Sequence, residues 1–280
     1  PGGRPGTAPH ARPRLLSWGG HTSATVYEIL DQRMATIGVV VFCVAGMRHL
    51  GRCLKSIEWA DDVAVVNLGE GRGFVHNLGS AERRQRTDWI LQLWAEERID
   101  KKLEEQLSCL RRIPLDEARP AYRIPIRSYL LANWVDGSIW GPSPSLRLTR
   151  GRRHWPPAWW NLDAWELEGS GCLTGCIQDY SAAELSSGIG HVNTVSSLWA
   201  QELNGRDRIP GLTKASLFSV LVLLRLLVRR TMLHDGFAGL TLSVLCAYAT
   251  LLVGAKAWER RPASADSSTN RDRGRTSQVR

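Results

Sequence analysis

Thr87-Asp88-Trp89-Ile90-Leu91-Gln92-Leu93-Trp94-Ala95-Glu96-Glu97-Arg98 passes from an apolar run into acid within a dozen residues. Ile90, Leu91 and Leu93 read as a short buried strand. Lys101 to Arg111 follows with Leu103, Leu107 and Leu110 on one face, the spacing of an amphipathic helix. Upstream, Thr36 to Val41 is β-branched and apolar and reads as a first buried strand. Met47 to Trp59 has Leu50, Leu54 and Ile57 at helical spacing, and Val63 to Val66 reads as a second strand. Strand, helix and strand of this size form a βαβ unit, with parallel strands and a right-handed crossover. Ligands of open α/β sheets bind outside the carboxyl ends of the strands. That rule places Asn67 and the Gly-rich run from Leu68 to Gly73 beside the expected ligand pocket.

Downstream, Tyr122 to Trp134 reads as a strand or the start of a hairpin, and Ser145 to Thr149 as a further strand. Trp155 to Trp160 is a loop, because Pro156 and Pro157 suit neither a helix interior nor a central strand. Ala182 to Leu203 reads as a helix. Ser216 to Arg230 is a strongly apolar helix interrupted by Arg225, and Gly236 to Ala255 has no formal charge. Twenty such residues match the length that crosses a hydrocarbon layer. The two segments are expected to form a membrane-associated hairpin, spanning the bilayer or lying in it, with Arg229, Arg230 and Lys256 near cytoplasmic headgroups. Arg225 opposes a full crossing by the first helix, and a soluble hairpin capping the domain is the alternative.

The chain has 280 residues, 43% hydrophobic and 22% charged, ordinary values for a globular protein, but a net charge of +9. Its arginines cluster at both ends and over 83–86, 147–153 and 225–230. No nucleic-acid-binding fingerprint accompanies them, so nucleic acid is not an expected partner. The last cluster lies in apolar sequence, which points to an anionic membrane surface. Of the 12 tryptophans, Trp155, Trp159, Trp160 and Trp165 crowd one region. The scattered cysteines read as reduced thiols. Cys172 and Cys176 have zinc-like spacing, but no second pair follows at a matching interval. Residues 1–35 read as a flexible basic leader, 36–215 as the α/β domain, 216–259 as the hairpin and 260–280 as a polar, disordered tail.

Ile37 to Val41, Arg52 to Asn67 and Asp88 to Leu91 resemble the family 2 glycosyltransferases. Tyr122 to Leu130, Gly239 to Tyr248 and Ala255 to Glu259 are similar to the bacterial branch that extends lipopolysaccharide cores. The similar blocks keep the family's order over roughly residues 36 to 259. The resemblance implies a GT-A-like, mostly parallel sheet flanked by helices. It also implies inverting transfer of a sugar from a nucleotide-diphosphate donor to a lipid-linked or lipopolysaccharide-core acceptor, at the cytoplasmic face of the bacterial inner membrane.

Such a transfer needs a carboxylate to take the acceptor proton, a cation or basic side chains to stabilise the departing diphosphate, and a nucleotide pocket. By the resemblance, Asp163 is the base. Glu96 and Glu97 are the acids that hold Mg2+ or Mn2+, while Trp94 occupies the position of the first carboxylate of the family's Asp-x-Asp motif. Arg147 lies beside the leaving group, and Asn67, His76 and Asn77 contact the donor. Oxygen ligands suit a hard cation, and an indole supplies none. A family acid is also expected at position 67, and roughly one helix–strand unit, about 20 residues, is missing after it. These departures keep a second reading open, in which the scaffold is a membrane-bound pseudoenzyme that binds without turnover.

Overall fold

A computed structural model of the chain describes residues 34–44, 49–68, 86–138, 143–150, 169–204, 211–228 and 235–260. The leader, the Gly-rich loop with His76 and Asn77, the Trp-rich loop with Asp163, Arg229 and Arg230, and the tail lie outside these residues.

Three parallel strands form one side of the main sheet. β1 (Ile37–Cys43) pairs with β2 (Asp62–Asn67) on one side and with β3 (Trp89–Trp94) on the other. The helix between β1 and β2 is α1 (Leu50–Ser56), as the spacing of Leu50, Leu54 and Ile57 predicts. Beyond β3 the sheet continues through β8 (Ser145–Arg150) and β5 (Ala121–Ile124), each antiparallel to its predecessor. It ends at β9 (Gly171–Cys172), parallel to β5. The order is β2-β1-β3-β8-β5-β9, with β2 as one edge among the described residues. A smaller sheet has the order β4-β10-β6-β7, formed by β4 (Glu97–Ile99), β10 (Ile177–Asp179), β6 (Ile126–Leu130) and β7 (Asn133–Asp136). The chain is thus α/β, with three of the five ladders in the main sheet parallel. The strands β4, β9 and β10 are too short, at two or three residues each, to leave a periodic signal in sequence.

Side chains of a strand alternate between the two faces of its sheet. Ile37, Val39 and Val41 of β1, with Trp89, Leu91 and Leu93 of β3, face one way. They pack against Cys53 and Ile57 at α1, and against Leu103, Leu107 and Leu110 of α2 (Lys101–Leu110). The Asp100 side chain caps α2 by accepting from the Leu103 N–H at 2.7 Å. Gly175 closes over that end, where a Cβ would lie 2.2 Å from the Leu103 nitrogen.

Val40, Phe42, Ile90 and Trp94 face the other way. Their cover is the C-terminal helical layer, formed by α3 (Leu185–Asn204), α4 (Leu212–Val228) and α5 (Gly236–Glu259). Leu242, Leu245, Cys246, Ala249 and Val253 of α5 join Val195 and Trp199 of α3 and the sheet residues in one core. Each fully buried aliphatic side chain contributes about 1.5–3 kcal/mol relative to exposure. The helices expected to form a separate hairpin are therefore the second helical layer of the α/β core. Lys256, expected near headgroups, instead donates to Asn193 Oδ1, Ser196 and Ser197 of α3, each at 2.8 Å. The Cys246 thiol donates to the Ser138 carbonyl at 3.2 Å, tying α5 to the smaller sheet.

α4 packs on α5 with close backbone approach. Ser219 donates to the Ala247 carbonyl at 2.7 Å, and a Cβ on Gly254 would fall 2.3 Å from that of Ala215. The opposite side of α4 exposes Leu217, Val220, Leu221, Leu224 and Val228, the last 80% exposed. Phe237, Leu240, Val244 and Tyr248 are exposed along α5. Among the described residues α5 is the one helix long and apolar enough to cross a membrane, yet 56% of its most apolar window is buried in the protein.

Candidate functional site

β1, β2 and β3 end together. Asn67 lies opposite Cys43 in register, and Phe42 opposite Trp94, so Asn67 and the Ala95-Glu96 turn flank the carboxyl end of β1. Adjacent strands are about 4.8 Å apart, which separates the ends of β2 and β3 by about 10 Å. Asn67 is exposed at this edge, as its position after a parallel strand predicts.

The acidic turn has three different environments. Trp94 is 3% exposed and faces the helical layer, its ring 5.5 Å from Phe42 and edge-on to His191 at 5.8 Å. The expectation that it lines the cation position is corrected: its side chain is core, because residue 94 shares the face of Ile90 rather than that of Leu93.

Glu97 is 1% exposed and turns inward. It accepts from Arg147 at 2.7 and 2.9 Å and from the Trp94 N–H at 2.8 Å. Arg147 also donates to the Gln92 carbonyl at 3.2 Å. Burial pushes the Glu97 carboxyl up, and the charge and hydrogen bonds of Arg147 oppose that shift. The expected roles of both residues are corrected here. Arg147 is 2% exposed and bonds across the sheet, away from any solvent-facing diphosphate, and Glu97 spends its oxygens on Arg147 rather than on a cation.

Glu96 is the acid left at the edge. Its Oε2 lies 3.4 Å from Nδ1 of His191 on α3. Burial, then the charges of Asp179 and Glu97, push its carboxyl up to about 7. Burial pushes His191 down to about 4, against the pull of Asp179. Near neutral pH the imidazole is therefore uncharged and Glu96 is partly protonated. Asp179 ends β10 and accepts from Ser128 at 3.1 Å, Ser138 at 3.4 Å and the Ser181 N–H at 2.8 Å.

This donor set does not fit Mg2+ or Mn2+. A hard cation wants several ionised oxygens. Here one acid is locked to arginine and another sits against an imidazole with its charge suppressed. No group of three His, Cys, Asp or Glu able to hold a metal ion occurs among the described residues. Cys176 donates its thiol to Asp100 at 3.1 Å, so it too is engaged within the fold.

Beside the turn lies an aromatic and basic cluster that the sequence reading missed. The Tyr180 N–H donates to the Glu96 carbonyl at 3.1 Å. Its ring meets Trp134 at 5.4 Å, Tyr129 at 5.9 Å and His49 at 6.4 Å. The Arg98 guanidinium lies 4.1 Å over the Tyr180 ring, and Arg127 5.9 Å from Trp134. The available signal was the run Ile177-Gln178-Asp179-Tyr180, an alternation closed by a serine, three residues of which form β10.

No protein-family model matches the chain, and no curated protein matches it. Among solved structures, residues 1–349 of S. aureus TarS superpose with a TM-score of 0.36 at 11% identity, over 81% of this chain and 93% of that one. A longer TarS structure gives 0.34 at 10% identity, over 79% of this chain and 54% of that one. Both likenesses are too remote to bear on function.

Proposed function

We propose that this protein is a glycosyltransferase of the family 2 type, binding a nucleotide-diphosphate sugar at the carboxyl edge of β1, β2 and β3. The observation that carries the reading is the placement of Asn67 and Glu96 on either side of the β1 end, where open α/β sheets bind ligands. Sequence blocks in the family's order accompany it. Asn67, His76 and Asn77 are the proposed donor contacts. Asp163 is the proposed base for inverting transfer to a lipid-linked or lipopolysaccharide-core acceptor. The chemistry proposed here does not run through a cation held by Glu96 and Glu97.

The acceptor class implies work at a membrane, proposed as the cytoplasmic face of the bacterial inner membrane. The apolar outer side of α4 and the exposed row on α5 support attachment from one side. Lys214 and Arg225 are the charged residues of α4, and both signs of complementarity, apolar and basic, favour an anionic bilayer. Because α5 gives its inner side to the core, attachment is by lying on the bilayer rather than crossing it.

A second reading has its own support. Trp94 in the core and Glu97 on Arg147 remove two of the family's acids, which favours a scaffold that binds donor without transferring it. Calorimetry with nucleoside diphosphates, with and without Mn2+, and donor turnover on membrane extracts separate the readings. Saturable binding with turnover lost in Asp163→Asn supports the enzyme. Binding without turnover supports the scaffold, and no binding of any nucleoside diphosphate refutes both.

A further inference from the structure

Arg98, at the strand edge, has guanidinium nitrogens that the fold does not satisfy. Its Nε and Nη2 are shut off from solvent and have no hydrogen-bond partner among the described residues. Of the neighbouring acids, Glu97 is held by Arg147, while Glu96 Oε2 lies 3.4 Å from His191 Nδ1 and accepts no hydrogen bond from the described residues. Arg98 as a whole is half-buried, but a buried N–H without an acceptor costs free energy, so these two nitrogens signal a missing partner. Stacking on Tyr180 at 4.1 Å holds it in place but supplies about 0.5–2 kcal/mol and no acceptor atom.

The position is informative. Tyr180 is tied by its backbone to Glu96 at the β3–β4 turn, and its ring approaches His49, which precedes α1 just after the β1 end. Arg98, Tyr180 and His49 come from three separate elements and converge on the carboxyl edge of the parallel strands. A guanidinium fork matches two oxygens of one phosphate, and its charge does not depend on pH in the working range.

We propose that Arg98, braced by Tyr180, binds a phosphate group of the ligand at this edge and does there what the acids cannot do through a cation. The inference deepens the reading of a nucleotide-diphosphate donor and rests on it for the identity of the ligand. The phosphate chemistry stands on the geometry alone.

The test uses the full chain and inorganic pyrophosphate as the probe, with uridine diphosphate and phosphatidylglycerol vesicles in parallel. Wild type is expected to bind pyrophosphate saturably. Arg98→Gln should weaken that binding at least tenfold, Arg98→Lys should weaken it less, and Arg127→Gln should leave it unchanged, since Arg127 pairs with Asp136 at 3.0 Å. Equal affinity in a folded Arg98→Gln, or no binding to wild type, overturns the proposal. Loss of vesicle binding in Arg98→Gln with pyrophosphate binding intact assigns Arg98 to a lipid headgroup and also overturns it. Uridine diphosphate bound equally by both forms sinks this inference and leaves the donor reading standing. Arg98-dependent pyrophosphate binding with no nucleoside diphosphate bound does the reverse. If Arg98→Gln does not fold, wild type still decides: pyrophosphate must slow phenylglyoxal modification at Arg98, and no protection refutes the site.

Discussion

Replacing Arg147 by methionine asks whether that arginine is a ligand contact or part of the fold. Arg147 makes two bonds to Glu97 and one to the Gln92 carbonyl, and both ionic partners are almost wholly buried. Methionine keeps much of the stem volume but strands the Glu97 carboxylate. Leaving one charge of a buried pair uncompensated costs about 3–5 kcal/mol, a large share of the roughly 5–15 kcal/mol that stabilises a domain. Glu97→Gln should cost less, because a neutral amide still accepts from Arg147. The double variant Glu97→Leu/Arg147→Met should recover most of the loss, since replacing both charges by apolar groups is often close to neutral. Urea unfolding followed by far-ultraviolet circular dichroism gives the three free energies and their coupling. A folded Arg147→Met with an unchanged midpoint and weakened nucleotide binding would show that Arg147 faces ligand, and the buried-pair account would fail.

Trp94→Asp would restore the carboxylate of the family motif, but it empties a core site and buries an acid near Glu96. The loss should be at least about 3–5 kcal/mol, as for other large core truncations, and thermal melts with no decrease in midpoint would contradict the core placement. Stability should vary little with pH between about 4.5 and 6.5, because two linkages oppose each other. Glu96 is raised to about 7, so its contribution is present at low pH and is lost as pH rises from its ordinary value. His191 is lowered to about 4, so its contribution is lost as pH falls through the ordinary histidine range. Glu96→Gln should unmask a rise in stability with pH over 4–6.5, and His191→Leu a fall toward pH 7; identical profiles for all three proteins would refute the pairing. Gly254→Leu should dislodge α4 through Ala215 and lower affinity for anionic vesicles in flotation, and unaltered flotation would remove α4 from the membrane face.

The parallel part of the fold was legible because β1 and β3 are buried, largely aliphatic runs and the more exposed β2 is rich in valine, each long enough for composition to speak. The amphipathic α2 was legible from its period: Leu103, Leu107 and Leu110 repeat at helical spacing behind a capping Asp100. The site was read less well. Position 67 followed from the strand-end rule, and Glu96 from its place after β3. The roles of Glu97 and Arg147 did not follow, because two charged residues 50 positions apart give no local sign that they will meet inside the sheet. Tyr180, His191 and Arg98 were missed for a similar reason, since their significance arises only where β4, β10 and α3 converge. The apolar C-terminal sequence was read as a membrane-associated hairpin, with a soluble hairpin capping the domain as the alternative. Hydropathy along a helix does not reveal that one side faces a sheet, and here Val40, Phe42 and Trp94 are the solvent for that side.

The layering also orders events in time. Every strand of the main sheet precedes residue 173, whereas α3, α4 and α5, which cover one of its faces, span 185 to 259. At translation rates of 5–20 residues per second, that face waits on the order of ten seconds after the last strand has been made. During this interval an aliphatic and aromatic surface bordered by the edge strand β2 is open to any partner nearby. A shortened gene that stops before α5 would make that interval permanent. Its product should be a holdase client or an aggregate rather than a soluble α/β domain.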